Sequence, residues 1–383
     1  MYGYRLKSRD AVRGKKRIVK DRAAPSKHKK TAQHTDNAPY AIVARHAISP
    51  TERKSIFLNE GGRAGRGRDR GRRGDALFFD RMADIFQHGD RGLVSIRGQV
   101  AEAMHELWRS LEQIWILPRR LTLDTSGVAA TVPMLRGVWG AALYDLDHRL
   151  YRCVFHEDGR DRERLPCYIL RPVAGQVAVD WIVIGRPAIR RDAWLLLAWG
   201  MAMERGLDAA RVPFRVLRMQ GLRPDGTVAA CPRAWRLSDA VWPLAGDPER
   251  TPCRLSFWTP LSLLRQGELI PEPTLKDLVV RAGWRIGAFL PRGQRQLWHE
   301  RRGEAIEFSR RVPERAWQGQ RLDLERYSAR QGREFRVPGV CGHLDLPTGP
   351  GLLWPLLAAL QWLHLGKSTI VGLGQLTIET LDR

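Results

Sequence analysis

The chain has 383 residues, 43% of them apolar, and carries 64 Lys+Arg against 41 Asp+Glu, a net charge of +23. That length predicts two domains, or two plus a tail. The longest apolar stretch, Gly351 to Leu365, is broken by Pro355, Gln361 and His364 and falls short of the roughly 20 residues that span a bilayer, which excludes an integral membrane protein. The basic N-terminus has no apolar core behind it and does not read as a signal peptide. The five cysteines, Cys153, Cys167, Cys231, Cys253 and Cys341, are scattered and never form a CxxC pair. This argues against a disulfide scaffold and a cysteine-rich zinc site, and a reducing cytoplasm is the expected compartment.

Residues 1–74 hold 21 basic and 6 acidic residues, leaving +15; the remaining chain holds 43 and 35, leaving +8. Eight of the ten lysines fall before residue 75, and only Lys276 and Lys367 follow. A polyanion is the natural partner of either part. The run Gly61-Gly62-Arg63-Ala64-Gly65-Arg66-Gly67-Arg68 and the lack of periodicity predict a basic disordered tail over 1–74. Read structurally, this tail is a solvated segment or sequence upstream of a later start at Met82 or Met104; read functionally, it is an arm for nucleic acid. Residues 75–120 are expected to form a helical extension, because Val100, Met104, Leu107, Trp108, Leu111, Ile114 and Trp115 recur at helical spacing within 94–116.

From Leu121 the pattern is mixed. Leu121–Asp124 is strand-like, and Pro133 can open a helix that continues over Met134–Tyr144. Tyr151–Phe155, Cys167–Leu170 and Val177–Ile184 read as strands. Asp192 can cap an apolar helix, Ala193–Glu204, closed by Gly206, and Phe214–Met219 is the next strand. This β-α-β-β-α-β order predicts a ferredoxin-like domain over 121–220. A Pro- and Gly-rich linker is expected over 221–249. The order then recurs over 250–383, with a strand at Arg254–Trp258, a helix at Thr274–Leu290, strands or hairpin arms at 304–308, 320–328 and 333–346, a helix at Gly351–Leu363 and a strand at Gly374–Glu379. The expected fold is therefore α+β, with tandem ferredoxin-like, RRM-like βαββαβ domains.

The sharpest local feature is His364-Leu365-Gly366-Lys367-Ser368-Thr369-Ile370-Val371-Gly372-Leu373-Gly374. It is not a P-loop. The position that needs the first glycine holds Gln361, and a helix precedes the loop where a strand is required. Two readings stay open. Gly366, Gly372 and Gly374 could free the backbone to approach a phosphate, with Lys367, Ser368 and Thr369 adding charge and hydrogen bonds. They could equally serve a tight, packed turn.

A last helix followed by His-x-Gly-Lys-x-Thr-x-x-Gly-x-Gly and a final strand resembles the glycine-rich loop of the RAMP superfamily. Within it, the chain is most similar to the CRISPR-associated endoribonucleases that process precursor CRISPR RNA. Val132–Leu143 resembles that family's first helix, Leu165–Pro172 its following strand and Leu255–Leu261 the opening of its second domain. The resemblance runs from about Leu121 to Glu379. It implies binding of a precursor CRISPR RNA repeat hairpin and metal-independent cleavage on its 3′ side. The ribose 2′-OH would attack the adjacent phosphate, leaving a 2′,3′-cyclic phosphate and a 5′-OH. Subunits of a CRISPR effector complex are further expected partners; no cofactor or metal is implied.

Such a reaction needs a base, an acid and positive charge at the phosphate. No HExxH, EF-hand or clustered carboxylate pattern occurs to suggest a metal. Histidine titrates near working pH and suits the acid and base roles, whereas arginine clamps phosphate. The resemblance places a catalytic histidine at or just after the first helix, where His148 fits. Tyr144 lies one helical turn earlier and can share its face. Both are candidate catalytic residues, and Arg136 and Arg149 are candidate phosphate ligands beside the loop residues. His148 could instead be a loop histidine paired with Asp145 or Asp147. His156 is the next candidate, though Glu157 and Asp158 would repel phosphate, and His364 is expected to pack against the last helix. Two further functional readings stand beside the nuclease: a non-catalytic RNA-binding subunit of an effector complex, and a basic nucleic-acid-binding protein unrelated to CRISPR. The chain lacks the RNA-stacking signature of generic single-strand RNA-binding domains.

Overall fold

The structure, a computed structural model, describes residues 102, 104–155, 165–240, 251–328 and 333–381. The expected basic tail over 1–74, most of the helical extension and His156 lie outside the described residues. Among those described, no helix is long and apolar enough to cross a membrane.

Residues from Trp115 to Leu222 form one βαββαβ unit. Its elements are β1 (Trp115–Asp124), α1 (Val132–Leu146), α2 (His148–Phe155), β2 (Tyr168–Pro172), β3 (Ala178–Ile184), α3 (Asp192–Arg205) and β4 (Arg215–Leu222). The antiparallel order β2-β3-β1-β4 is that of a ferredoxin-like sheet. Thr131 caps α1 by accepting the Met134 N–H, with Pro133 in the first turn. Side chains alternate across the strands, so each strand serves two cores. Leu117, Leu121, Leu170, Trp181 and Val183 pack under α1 and α3 around Trp139, which is wholly buried. Trp139 stacks on Trp199 and meets Tyr168 and Trp181 edge-on. Truncating it to Ala would cost about 3–5 kcal/mol. On the opposite face Ile116, Ile169, Ile182 and Ile184 join the core of the second domain.

That second domain repeats the order. Its elements are β5 (Cys253–Leu261), α4 (Leu275–Gly287), α5 (Arg292–Ser309), β6 (Gln318–Arg321), β7 (Leu324–Ser328), β8 (Arg333–Val337), β9 (Val340–Leu346), α6 (Trp354–Leu363) and β10 (Leu376–Thr380). The sheet order β6-β9-β5-β10 is again that of strands 2-3-1-4. Helix α5 and the β7–β8 hairpin are additions to the basic unit. A full capping box starts α4: Thr274 accepts from the Asp277 N–H, and the Asp277 carboxylate accepts from the Thr274 N–H. Helix α6 is buried nearly all round, which explains its lack of a polar face. The tandem ferredoxin-like fold expected from the sequence is therefore present.

Five local expectations change. Asp192, expected to cap α3, is its first residue: Arg191 holds the cap position without a side-chain hydrogen bond, and the Asp192 carboxylate pairs with Arg119 instead. Tyr151–Phe155, read as a strand, is the end of helix α2. Tyr151, Cys153 and Phe155 alternate, but Leu150 and Val154 are buried at helical spacing, and Asp147 caps the helix through the Arg149 and Leu150 N–H groups. Residues 304–308, also read as a strand, lie inside α5, where Trp298, Ala305 and Ser309 face inward. The first strand starts at Trp115, not Leu121. Arg119 and Arg120 disguise it, because each is ion-paired to a carboxylate, Asp192 and Asp180 respectively. The helix before it ends near Leu111. The stretch expected as a linker is docked over its described part: Leu222, Trp235 and Leu237 are core residues, and the Trp235 indole N–H donates to the Leu222 carbonyl at 3.0 Å.

Candidate nucleic-acid interface and cleavage site

The glycine loop, 364–374, is a strap between the two domains. Leu365 lies in the core of the second domain, whereas Val371 and Leu373 are buried in that of the first. The loop sits against β2, and this contact decides what its glycines do. A Cβ on Gly372 would come 2.9 Å from Pro172 Cδ and 3.1 Å from the Leu170 carbonyl oxygen. One on Gly366 would come 2.7 Å from the Ser262 oxygen. Both glycines have φ near +85°, which L side chains resist. Close packing therefore accounts for them without a ligand.

Most loop N–H groups are also engaged. Those of Leu365, Lys367, Val371, Gly372 and Gly374 donate to Gly374, Ser262, Ser368, Thr369 and Pro260 carbonyls. Thr369 is buried, Ser368 is half-buried in the left-handed region, and Lys367 is exposed. The backbone thus holds a fixed turn that projects the Lys367 ammonium outward, with the Ser368 hydroxyl beside it.

On the first domain, Tyr144 and His148 meet as the spacing predicted, edge to face with centroids 4.6 Å apart. Tyr144 is 47% exposed and His148 is exposed, so a substrate can reach both. The alternative pairing of His148 with a neighbouring carboxylate is not what the structure contains. Asp145 is ion-paired with Arg205, and Asp147 accepts backbone N–H groups as the α2 cap. The imidazole is therefore left open to solvent at the junction of α1 and α2. Arg149 is exposed next to it. Arg136 is turned inward: its Nε donates to the Tyr168 hydroxyl at 2.9 Å, and its guanidinium lies over the Phe155 ring.

Between the domains lies a group of buried polar side chains that only partly figured among the sequence candidates. Arg171 bonds Asp180 and the Gln361 carbonyl and covers Trp362. His364 is fully buried, with its Nδ1 3.1 Å from the Leu373 carbonyl oxygen, so Nδ1 carries the proton. Burial first, then the charges of Arg171 and Arg285, hold the His364 pKa well below 6.5. The expectation that His364 packs against the last helix matches its place as the residue closing α6. Arg285 is also buried and donates to the Leu363 carbonyl at 2.9 Å; burial pulls its pKa down to about 9. Nothing in the sequence distinguishes Arg171 or Arg285 from the chain's many other arginines.

Residues 255–376 match the family model of the CRISPR-associated endoribonuclease Cas6. No curated protein sequence matches the chain. Among solved structures, Thermus thermophilus Cas6 (TTHB231) is similar at 16% identity over 70% of this chain and 99% of that one, with a TM-score of 0.43. A Cas6 (TTHA0078) product complex is similar at 20% identity over 70% of this chain and all of that one, with a TM-score of 0.42. Cas6b follows at 12% identity over 70% and 99%, with a TM-score of 0.34. The family resemblance read from the glycine loop and from Leu255–Leu261 is thus met by the Cas6 family model over the second domain.

Proposed function

We propose that the chain is an endoribonuclease that binds the repeat hairpin of precursor CRISPR RNA and cuts it at the 3′ side. The observation that carries this reading is the Cas6 family match over 255–376, which includes the glycine loop. The net charge of +23 suits a polyanionic substrate. RNA lying over the seam would have its phosphate near Lys367 and Ser368, with Arg149, Tyr144 and His148 on the first domain.

In the proposed reaction the His148 imidazole takes the proton from the ribose 2′-OH as that oxygen attacks the adjacent phosphorus. The P–O5′ bond breaks, and the 5′-oxygen takes a proton from the Tyr144 hydroxyl or the imidazolium. The products are a 2′,3′-cyclic phosphate and a 5′-OH. Lys367 stabilises the charge that builds on the phosphate oxygens. No step calls for a metal ion. Gly366, Gly372, Gly374 and Thr369 act by shaping the strap that holds Lys367 in place. CRISPR effector subunits are the expected later recipients of the processed RNA, in the cytoplasm.

The test is incubation of a repeat RNA with the purified chain in EDTA. Cleavage with cyclic-phosphate and 5′-OH ends supports the proposal. Tight repeat binding without cleavage replaces it with a non-catalytic binding subunit. Equal affinity for unrelated RNA or DNA replaces it with a general nucleic-acid-binding role.

A further inference from the structure

Helices α4 and α5 pack side by side, and their facing residues follow helical spacing. Arg281, Trp284 and Arg285 lie on one face of α4, and Arg295, His299 and Arg302 on one face of α5. Between these helices and the glycine loop lies a cavity of about 260 Å³, which Lys367 also lines. This is just below the ~300–1,000 Å³ that encloses a drug-sized ligand, so it suits one nucleoside-sized group and excludes a duplex.

The chemistry of the walls is one-sided. Arginine, lysine and histidine side chains line the cavity, and among the described residues no carboxylate does. Arg285 is 6% exposed, and its Nη2 finds no hydrogen-bond partner among the described residues. A buried guanidinium without a carboxylate is costly, and a bound anion would offset that cost. His299 Nδ1 is likewise buried without a partner there. Trp284 is half exposed although the Arg302 guanidinium lies 4.1 Å from its ring centroid, and His299 leans on it at 5.6 Å. An exposed indole steadied by a cation offers a stacking surface beside an anion site.

We infer that this cavity is a nucleotide subsite that takes one unstacked nucleotide of an RNA strand, its base against Trp284 and its phosphate against Arg285 and Arg281. The inference rests on the RNA-binding part of the proposed function and is independent of cleavage. Helix α5, which forms one wall of the cavity, is an addition to the basic ferredoxin-like unit. The strand would reach the subsite by passing the glycine loop, from which Lys367 faces the cavity.

The experiment measures binding of a labelled single-stranded RNA to the full chain and to Trp284→Ala and Arg285→Met, with 4-thiouridine crosslinking of the unmutated chain as a readout that needs no variant. Trp284→Ala should weaken binding about 5- to 150-fold, the worth of one base stack. Arg285→Met should weaken it while leaving the thermal midpoint unchanged or raised, because the variant removes an unpaired buried charge. Crosslinks should fall within 281–302. Unchanged affinity in both variants, or crosslinks only elsewhere, overturns the subsite while leaving RNA binding intact. Stabilisation by inorganic phosphate that persists in Trp284→Ala, with no effect of that variant on RNA, reduces the cavity to a phosphate site and also overturns it. Failure of the unmutated chain to bind any RNA overturns the proposed function as well.

Discussion

Leu365 and Gly374 close the glycine loop on itself. The Leu365 N–H donates to the Gly374 carbonyl at 2.9 Å, and a Cβ on Gly374 would overlap the Leu365 carbonyl oxygen. With φ at +66°, Gly374 also occupies backbone space that other residues avoid. Gly374→Ala should therefore destabilise the chain by about 2 kcal/mol or more, read as a shift in the urea midpoint without a change in slope. A wild-type midpoint would mean that the strap relaxes freely.

Lys367→Ala tests what the loop presents. The side chain is exposed, so stability should stay within about 0.5 kcal/mol. RNA affinity should fall, and the slope of log affinity against log salt should flatten by about one unit, as for one lost phosphate contact. An unchanged slope would assign the loop to domain packing alone.

His148→Ala should slow cleavage about 10²- to 10⁴-fold, the usual worth of positioned proton transfer, and leave repeat affinity nearly unchanged. Tyr144→Phe keeps the ring against the imidazole and removes only the hydroxyl. A rate loss in Tyr144→Phe would assign that hydroxyl a proton-transfer role; an unchanged rate would restrict Tyr144 to holding His148. Normal cleavage by His148→Ala together with loss in Arg149→Ala would move the chemistry to arginine.

Arg136→Ala separates packing from phosphate binding. Its guanidinium bonds Tyr168 and covers Phe155, so the variant should lose about 1 kcal/mol of stability. An RNA affinity loss larger than that of Lys367→Ala, with stability intact, would restore it as a phosphate ligand.

His364 gives a pH signature. Its folded pKa lies well below 6.5, so below pH 6.5 the unfolded chain binds a proton that the folded chain does not. The stabilisation is complete above the unfolded value and is lost as pH falls from 6.5 toward the folded value, at about 1.4 kcal/mol per pH unit. Urea unfolding of the chain and of His364→Gln at neutral and mildly acidic pH should show a shallower acid loss in the variant. Equal losses would mean that His364 takes its proton within the fold.

Local chemistry carried much of this protein in plain sequence. Pro133 at the start of α1, the strand–helix order and the apolar spacing of α1, α3, α4 and α6 determined two ferredoxin-like units, because helix initiation and burial act within a few residues. The helical spacing of Tyr144 and His148 likewise put their rings together. Short segments were less legible: Tyr151–Phe155 fits both a period of 2 and a helical period, and only the packing of Phe155 against Trp139 and Tyr168 decides between them. Arg119 and Arg120 hid a strand because their counter-charges, Asp192 and Asp180, lie some 60 to 73 residues away. What the glycines do was open for the same reason. The loop sequence fits either a phosphate cradle or a packed strap, and the approach of Pro172, Leu170 and Ser262, distant in the chain, decides which atoms face inward. The cavity beneath Lys367 was illegible altogether: Trp284, Arg285 and His299 are ordinary residues of two helices, and only the packing of α4 against α5 and the loop brings them together, with no carboxylate among the described residues lining the cavity.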